Sequence, residues 1–211
     1  MENYKKWIPV LTKELNRFMK TAPSISPIHK NDHIKRVWVT SETLCKKLNG
    51  DQEIMVATVF LHDLGRHQGL EIHGEKSAEL ARPILEKVGF PSEKIPIVLD
   101  AIGKHDYTTP NEARTSIYAK ILYDADKIDA FGKIGIQRHI QFYLRKGKTP
   151  AEILEMLEKR WAGLTLPESR KVGKAAYKIV KDYFLKLQKQ QTRKAQKLTK
   201  RKIRMRQRLG R

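Results

Sequence analysis

Histidine and aspartate recur at the ends of apolar segments in this sequence. The doublet His62-Asp63 follows the most apolar stretch, Ile54–Leu61, and His105-Asp106 ends another apolar segment. Ionisable groups at the end of a buried segment conflict with burial, and such conflicts concentrate at functional sites. Imidazoles and carboxylates together are ligands for divalent first-row metals, so the pattern predicts a mixed metal site if these ends converge. The other candidates of the same kind are His33, His73, Asp124, Asp126 and Asp129.

Helices must position these side chains, because nearly every segment has helical period and no convincing strand alternation is present. The third helix, capped by Asp51 and running through Leu61, is apolar all round, which predicts that it is central and buried. The sequence therefore predicts an all-α fold of about eight or nine helices. Six of the helices have predicted bounds: Trp7–Phe18, Asn31 or Asp32 to Gly50, Asp51–Leu61, His73–Val88, Thr115 or Ser116 to about Phe131, and about Gly135–Arg145. The other three have only predicted starts, at Ser92, at Thr149-Pro150 and near Pro167.

Charge divides the 211 residues into two parts. The net charge is +20, but residues 186–211 hold 12 Lys and Arg and no Asp or Glu, which leaves +8 for residues 1–185. We therefore predict one helical domain over 1–185 and a basic extension over 186–211, helical or disordered.

The sequence lacks the features that mark secreted and membrane proteins, and this bears on its cellular compartment. The one cysteine, Cys45, allows no intramolecular disulfide. No apolar run approaches the roughly 20 residues of a transmembrane helix, and the N-terminal residues lack the apolar core of a signal peptide. These features predict a cytoplasmic protein.

The ordered set of His33, His62-Asp63 and Asp126 resembles the HD-domain superfamily of metal-dependent phosphohydrolases. The resemblance covers about residues 28–145 and is strengthened by the segment from Asp124-Ala125-Asp126-Lys127 to Arg138. It implies an all-α HD-type domain and a divalent metal bound by His33, His62, Asp63 and Asp126. Relatives with two metals add two histidines between the doublet and the last aspartate, with the doublet aspartate bridging. His73 and His105 fall in that order, so one or two ions are expected, drawn from Mn, Fe, Co, Ni, Mg and Zn.

The resemblance also has a departure at Arg66. Several nucleotide-cleaving relatives carry a catalytic Glu three residues after the doublet aspartate, where this chain has Arg66, so their general base is not carried over. A basic residue there is similar to the HD-GYP phosphodiesterases, and we interpret Arg66 as a phosphate contact. Lys104, Lys127 and Arg138 are further candidate cations for the charge that develops during phosphoryl transfer.

The catalytic candidates are thus Asp63, Arg66, Lys127 and Asp129. Asp129 lies one turn beyond Asp126, where it would orient a ligand or accept a proton. Water activated by the metal would attack phosphorus. The expected substrate is a nucleotide or a related small phosphorylated molecule.

Two other functions fit the same sequence. One is a di-iron oxygenase of the same superfamily, which His73 and His105 would serve. The other is a non-catalytic HD-type module tethered by residues 186–211 to RNA or an anionic membrane surface, because that extension is strongly basic.

Overall fold

The computed structural model describes residues 3–21, 31–66, 70, 72–106, 109 and 111–209. Within the range 28–145 covered by the resemblance, residues 28–30, 67–69, 71, 107–108 and 110 lie outside these residues, as do 210–211 of the basic extension. Within them the chain forms nine α-helices and no strand, which confirms the all-α prediction. The helices are α1 (Trp7–Thr21), α2 (Asn31–Lys47), α3 (Gln52–Leu61), α4 (Gly74–Lys87), α5 (Ile95–Gly103), α6 (Ile117–Ile128), α7 (Gly132–Phe142), α8 (Pro150–Ala162) and α9 (Pro167–Leu209).

Helix α3 is the centre of the part that carries the candidate residues. Asp51 caps it, since its carboxylate accepts a hydrogen bond of 2.7 Å from Glu53 N. Every residue from Ile54 to Leu61 is buried, and α3 packs against α1, α2, α4, α5 and α6. Each fully buried aliphatic side chain contributes about 1.5–3 kcal/mol. The all-round hydrophobicity of this segment therefore predicted its position correctly.

The chain divides into two compact units. The first comprises Met1–Asp129 and Leu164–Gly173, and the second comprises Ala130–Gly163 and Lys174–Arg211. The first unit contains α1 to α6 and the large hydrophobic core around α3. All the metal-ligand candidates belong to it. The boundary that we predicted at residue 185 falls inside α9.

The second unit contains α7, α8 and most of α9. Trp161 of α8 stacks on Tyr177 of α9 with ring centroids 4.4 Å apart, and Phe131 contacts both rings. Gly132 has φ +69°, a conformation that favours glycine, and the Cβ it lacks would lie 3.6 Å from Ala176 Cβ. The basic extension continues α9 as helix to Leu209, so the helical alternative is confirmed over the described residues.

Helix ends follow local capping chemistry with two departures from expectation. Ser116, one of the two residues predicted to begin α6, caps that helix. Thr149, at the predicted start of α8, forms a capping box with Glu152. The left-handed residue after α2 is Asn49, with φ 52°, and not Gly50. Asparagine tolerates that conformation, whereas Gly50 is needed because a Cβ there would lie 2.7 Å from Cys45 Sγ. In addition, α6 ends at Ile128, short of the predicted Phe131.

No helix among the described residues is both long enough and apolar enough to cross a membrane.

Candidate metal centre

The ends of five helices of the first unit bring the predicted His and Asp side chains together. His33 lies in the first turn of α2, His62-Asp63 follow α3, His73 precedes α4, and His105 follows α5. Asp126 lies in the last turn of α6. These elements are helices of the same packed core, so their ends converge although the residues are far apart in sequence. Three overlapping groups of these side chains could each hold a metal ion: His33-His62-Asp126, His62-Asp63-His105 and His73-His105-Asp106.

The carboxylate of Asp63 lies between the two halves of this cluster. Its Oδ2 is 3.6 Å from His33 Nε2, and its Oδ1 is 2.9 Å from His73 Nε2. Its Oδ1 is also 3.5 Å from His62 Nε2. One carboxylate thus faces imidazoles of both halves, which is the arrangement that a bridging ligand of two ions requires.

The imidazoles of His62 and His105 present their Nε2 atoms to the cluster. His62 Nδ1 donates to Val59 O at 2.7 Å, and His105 Nδ1 donates to Ile102 O at 2.6 Å. With the proton on Nδ1, each neutral ring carries its lone pair on Nε2. Burial lowers the pKa of both rings, that of His105 to about 4. The Nε2 atom of His62 is buried and makes no hydrogen bond within the described residues.

His73 completes a set of acceptors that suits a cation. Asp106 accepts hydrogen bonds from the backbone N–H groups of His73 and Gly74, and its Oδ1 lies 3.2 Å from His73 Nδ1. Asp106 thereby holds the ring of His73, whose Nε2 faces His105 Nε2 at 3.1 Å and Asp63 Oδ1 at 2.9 Å. The lone pair on His105 Nε2 and the carboxylate of Asp63 converge at this point, and a positive charge between them would relieve their repulsion. The donor set therefore fits a divalent metal.

His33 is held from behind by an acidic and a basic side chain. Its Nδ1 lies 2.8 Å from Asp129 Oδ2, and Arg36 Nε donates to the other oxygen of Asp129 at 2.5 Å. Burial lowers the pKa of His33, but hydrogen bonds with Asp126 and Asp129 outweigh burial and raise it to about 9. Partial desolvation raises the pKa of Asp126, but the contact with His33 outweighs it and holds that pKa well below the usual value.

One edge of the cluster is open to solvent. The side chain of Asp126 is 37% exposed, whereas those of His33 and Asp63 are almost fully buried. Arg66, with its side chain 27% exposed, has its Nε 3.8 Å from Asp63 Oδ1. Asp126 and Arg66 are thus partly exposed side chains at the cluster.

The sequence comparisons identify the domain that holds this cluster. Residues 31–130 match the family model of the HD domain. Residues 31–130 form an HD domain. The match confirms the resemblance drawn from the His/Asp pattern, and the five helix ends described above all lie within the HD domain.

Several solved structures have a similar fold. A predicted HD superfamily hydrolase from an uncultured Thermotogales bacterium is 22% identical, with a TM-score of 0.63 over 85% of this chain and 90% of that chain. An HD-superfamily hydrolase of Bacillus thuringiensis is 19% identical, with a TM-score of 0.64 over 86% and 98%. Bacillus subtilis YpgQ in complex with ADP is 20% identical, with a TM-score of 0.58 over 86% and 96%. Among curated protein sequences, none matches this chain significantly.

The other predicted residues of the HD domain have different surroundings. Lys127 Nζ lies over the ring of Tyr123, 3.4 Å from its centroid. Lys104 pairs with Asp100 at 2.5 Å on α5. Asp124 is buried and accepts hydrogen bonds from the backbone N–H groups of Thr165 and Leu166, so it anchors the segment before α9. Arg138 belongs to the second unit.

Two arginines of the HD domain were missed in the sequence. Arg36 holds Asp129, and the only local signal is its position three residues after His33. Arg114 is 1% exposed, donates to the backbone oxygen of Asp106, and stacks 3.7 Å from the centroid of Tyr123. Nothing in the loop sequence around Arg114 indicates these contacts. Arg36 thus contacts Asp129, which holds His33, and Arg114 contacts the backbone of Asp106, which holds His73.

Proposed function

We propose that this protein is a metal-dependent phosphohydrolase that cleaves a phosphate ester or anhydride of a nucleotide or a related small phosphorylated molecule. The observation that carries the proposal is the set of converging acceptors, Asp63, His62, His73 and His105, with an edge open to solvent at Asp126. Such a set holds a divalent cation and leaves room for water and substrate.

The ligands in this proposal are His33, His62, Asp63 and Asp126 for one ion, and Asp63, His73 and His105 for a second. A bound divalent ion lowers the pKa of its water and polarises a phosphoryl oxygen. The remaining chemistry belongs to the chain. Asp129 and Asp106 hold the Nδ1 atoms of His33 and His73, so both rings keep their Nε2 atoms toward the centre.

Arg66 binds the phosphate in this proposal. Its guanidinium lies next to Asp63 at the open edge, where a planar fork of N–H donors matches phosphate oxygens. Charge that builds up on those oxygens during hydrolysis is met by a cation already in place. Lys127 is adjacent to Asp126 in sequence, but its Nζ lies over the ring of Tyr123, so it has no assigned phosphate contact in this proposal.

A nucleotide is the proposed substrate class. The positive charge of the body, +8 over residues 1–185, favours an anionic ligand. A protein of similar fold, YpgQ, has a structure in complex with ADP.

The test is a hydrolysis screen. Chelator-treated protein is supplied with Mn²⁺, Co²⁺ or Ni²⁺ and offered p-nitrophenyl phosphate, bis-p-nitrophenyl phosphate and the common nucleotides. We expect phosphate release that requires metal and is lost, by at least 100-fold, in Asp63→Ala. Asp100→Asn is the matched control, because Asp100 is partly exposed and pairs with Lys104 on α5.

Two results would contradict the proposal. One is metal-loaded wild type that is inactive on the whole panel and indistinguishable from Asp63→Ala. The other is a mixed-valent di-iron signal with oxygen consumption, which would favour the oxygenase function.

A further inference from the structure

The strongest charged surface outside the metal cluster is the basic segment of α9, which we define as Lys186–Arg201. It holds seven Lys and Arg and no acidic residue. All seven side chains are exposed. None of them has an ion-pair or hydrogen-bond partner among the described residues, whereas Lys178 and Lys181 just before the segment pair with Asp182 and Glu158.

The helix arranges these charges on one face. At 100° per residue, the seven positions fall within an arc of about 140°. They are Lys186, Lys189, Arg193, Lys194, Lys197, Lys200 and Arg201. The segment is about 24 Å long at 1.5 Å per residue, which gives roughly one positive charge per 3.4 Å. That spacing equals the axial spacing of phosphates along one strand of B-form DNA, about 3.4 Å.

We propose that this basic segment binds the phosphate backbone of double-stranded nucleic acid. A straight row of unpaired cations releases the counterions condensed on a duplex, and this release drives binding without sequence readout. The second unit anchors the helix, because Tyr177 and Phe184 of α9 pack against Trp161 and His139. The segment is therefore presented as a helix that extends from a folded base.

The composition of the segment distinguishes a duplex from other anionic partners. A helix that lies in a membrane surface needs a broad apolar face, but the apolar residues of the segment are Leu187, Ala195 and Leu198 alone. Single-stranded nucleic acid is bound largely by stacking on aromatic rings, and the segment has none. A duplex offers closely spaced phosphates along grooves that can hold an α-helix, so it is the partner that fits.

The test measures binding of the full chain to labelled 20-base-pair duplexes by fluorescence anisotropy. The same sequence is used as DNA and as RNA, together with a single strand of oligo-dT and vesicles that contain 30% phosphatidylserine. We expect binding to a duplex that weakens by on the order of 10³-fold between 50 and 200 mM salt. The duplex that binds more tightly shows whether the ligand is DNA or RNA.

A charge variant locates the binding surface. It replaces five cations of the segment by glutamine at Lys186, Lys189, Arg193, Lys194 and Lys197. Glutamine keeps helix propensity, so the variant retains α9. Its control replaces five exposed lysines elsewhere by glutamine, at Lys13, Lys20, Lys47, Lys133 and Lys148. Both variants lose five charges, but only the first should weaken duplex binding at least tenfold and flatten its salt dependence.

Three results would overturn the proposal: no duplex binding at 50 mM salt, equal losses in the two variants, or tighter binding to the vesicles or the single strand. Hydrolysis of a small phosphate ester should be unchanged in the first variant, because its five positions lie outside the HD domain. The experiment therefore distinguishes failure of the duplex-binding proposal from failure of the phosphohydrolase proposal.

Discussion

Asp129 holds His33 from the far side of the metal cluster. The Nδ1 atom of His33 lies 2.8 Å from Asp129 Oδ2, although 96 residues separate the two in sequence. Arg36 binds the same carboxylate through two nitrogens. The ring of His33 is thereby turned so that its Nε2 faces Asp63 and Asp126. Asp129 is thus a positioning residue for His33.

Substituting Asp129 by asparagine should weaken metal binding without unfolding the protein. The amide keeps the shape of the carboxylate but loses the negative charge that fixes the tautomer and basicity of His33. Loss of such a partner costs about 10–100-fold in metal affinity. Calorimetric titration of chelator-treated protein with Mn²⁺ measures the change, and an affinity equal to that of wild type would contradict this role of Asp129.

Arg66→Gln should impair substrate binding while it leaves the metal in place. Its guanidinium is at the open edge of the cluster, and its Nε makes no hydrogen bond within the described residues. We expect kcat/KM for a phosphate substrate to fall by about 10–100-fold, with Mn²⁺ affinity unchanged. Arg82→Gln is the control, since Arg82 is exposed and pairs with Glu86. Arg66 has no such role if the two variants hydrolyse the substrate equally well.

Arg114→Lys should destabilise the protein more than a surface substitution does. Lysine keeps the charge but cannot both donate to Asp106 O and stack on Tyr123 as Arg114 does. A lost buried hydrogen bond and planar contact should lower the free energy of unfolding by about 2–3 kcal/mol. Urea denaturation checks this value. Arg82→Gln, which removes an exposed pair with Glu86, should change stability by less than about 0.5 kcal/mol, and equal effects would refute the prediction.

His139 should make stability depend on pH. The ring is 2% exposed, and burial together with Arg160 lowers its pKa to about 4. Since the unfolded chain binds a proton at about pH 6.5, this group favours unfolding progressively as pH falls from about 6.5 toward 4. The effect amounts to about 2 kcal/mol at pH 4.5.

The test compares wild type with His139→Gln, whose amide can still donate to Ala130 O as His139 does. The variant should lose about 2 kcal/mol less stability than wild type between pH 7 and pH 4.5, because glutamine does not titrate. Parallel losses of the free energy of unfolding in the two proteins would show that His139 is not responsible.

The helices and the cluster could largely be predicted from local sequence. Periodicity located all nine helices of the described residues, and the all-round apolar stretch at Ile54–Leu61 predicted the central helix. The conflict between burial and charge at His62-Asp63 pointed to the site, because the chain places ionisable groups at the end of that helix.

Long-range contacts could not be predicted in this way. Arg36 and Asp129 are 93 residues apart, and their contact depends on how α2 packs against α6. The contacts of Arg114 likewise depend on tertiary packing in a loop that has no periodic pattern. The boundary between the two units, at Asp129 and Ala130, falls inside the segment that the sequence predicts as one helix to about Phe131, so no local signal marks it.

The central claim is that the cluster around Asp63 binds a divalent metal. Wild type, Asp63→Asn and the control Asp100→Asn are treated with chelator, reconstituted with Mn²⁺ and passed through a desalting column. The number of metal ions bound per chain is then measured by elemental mass spectrometry. The account predicts one to two ions per chain in wild type and in the control, and at least a tenfold lower content in Asp63→Asn. Wild type without bound metal, or Asp63→Asn with as much metal as wild type, would contradict it.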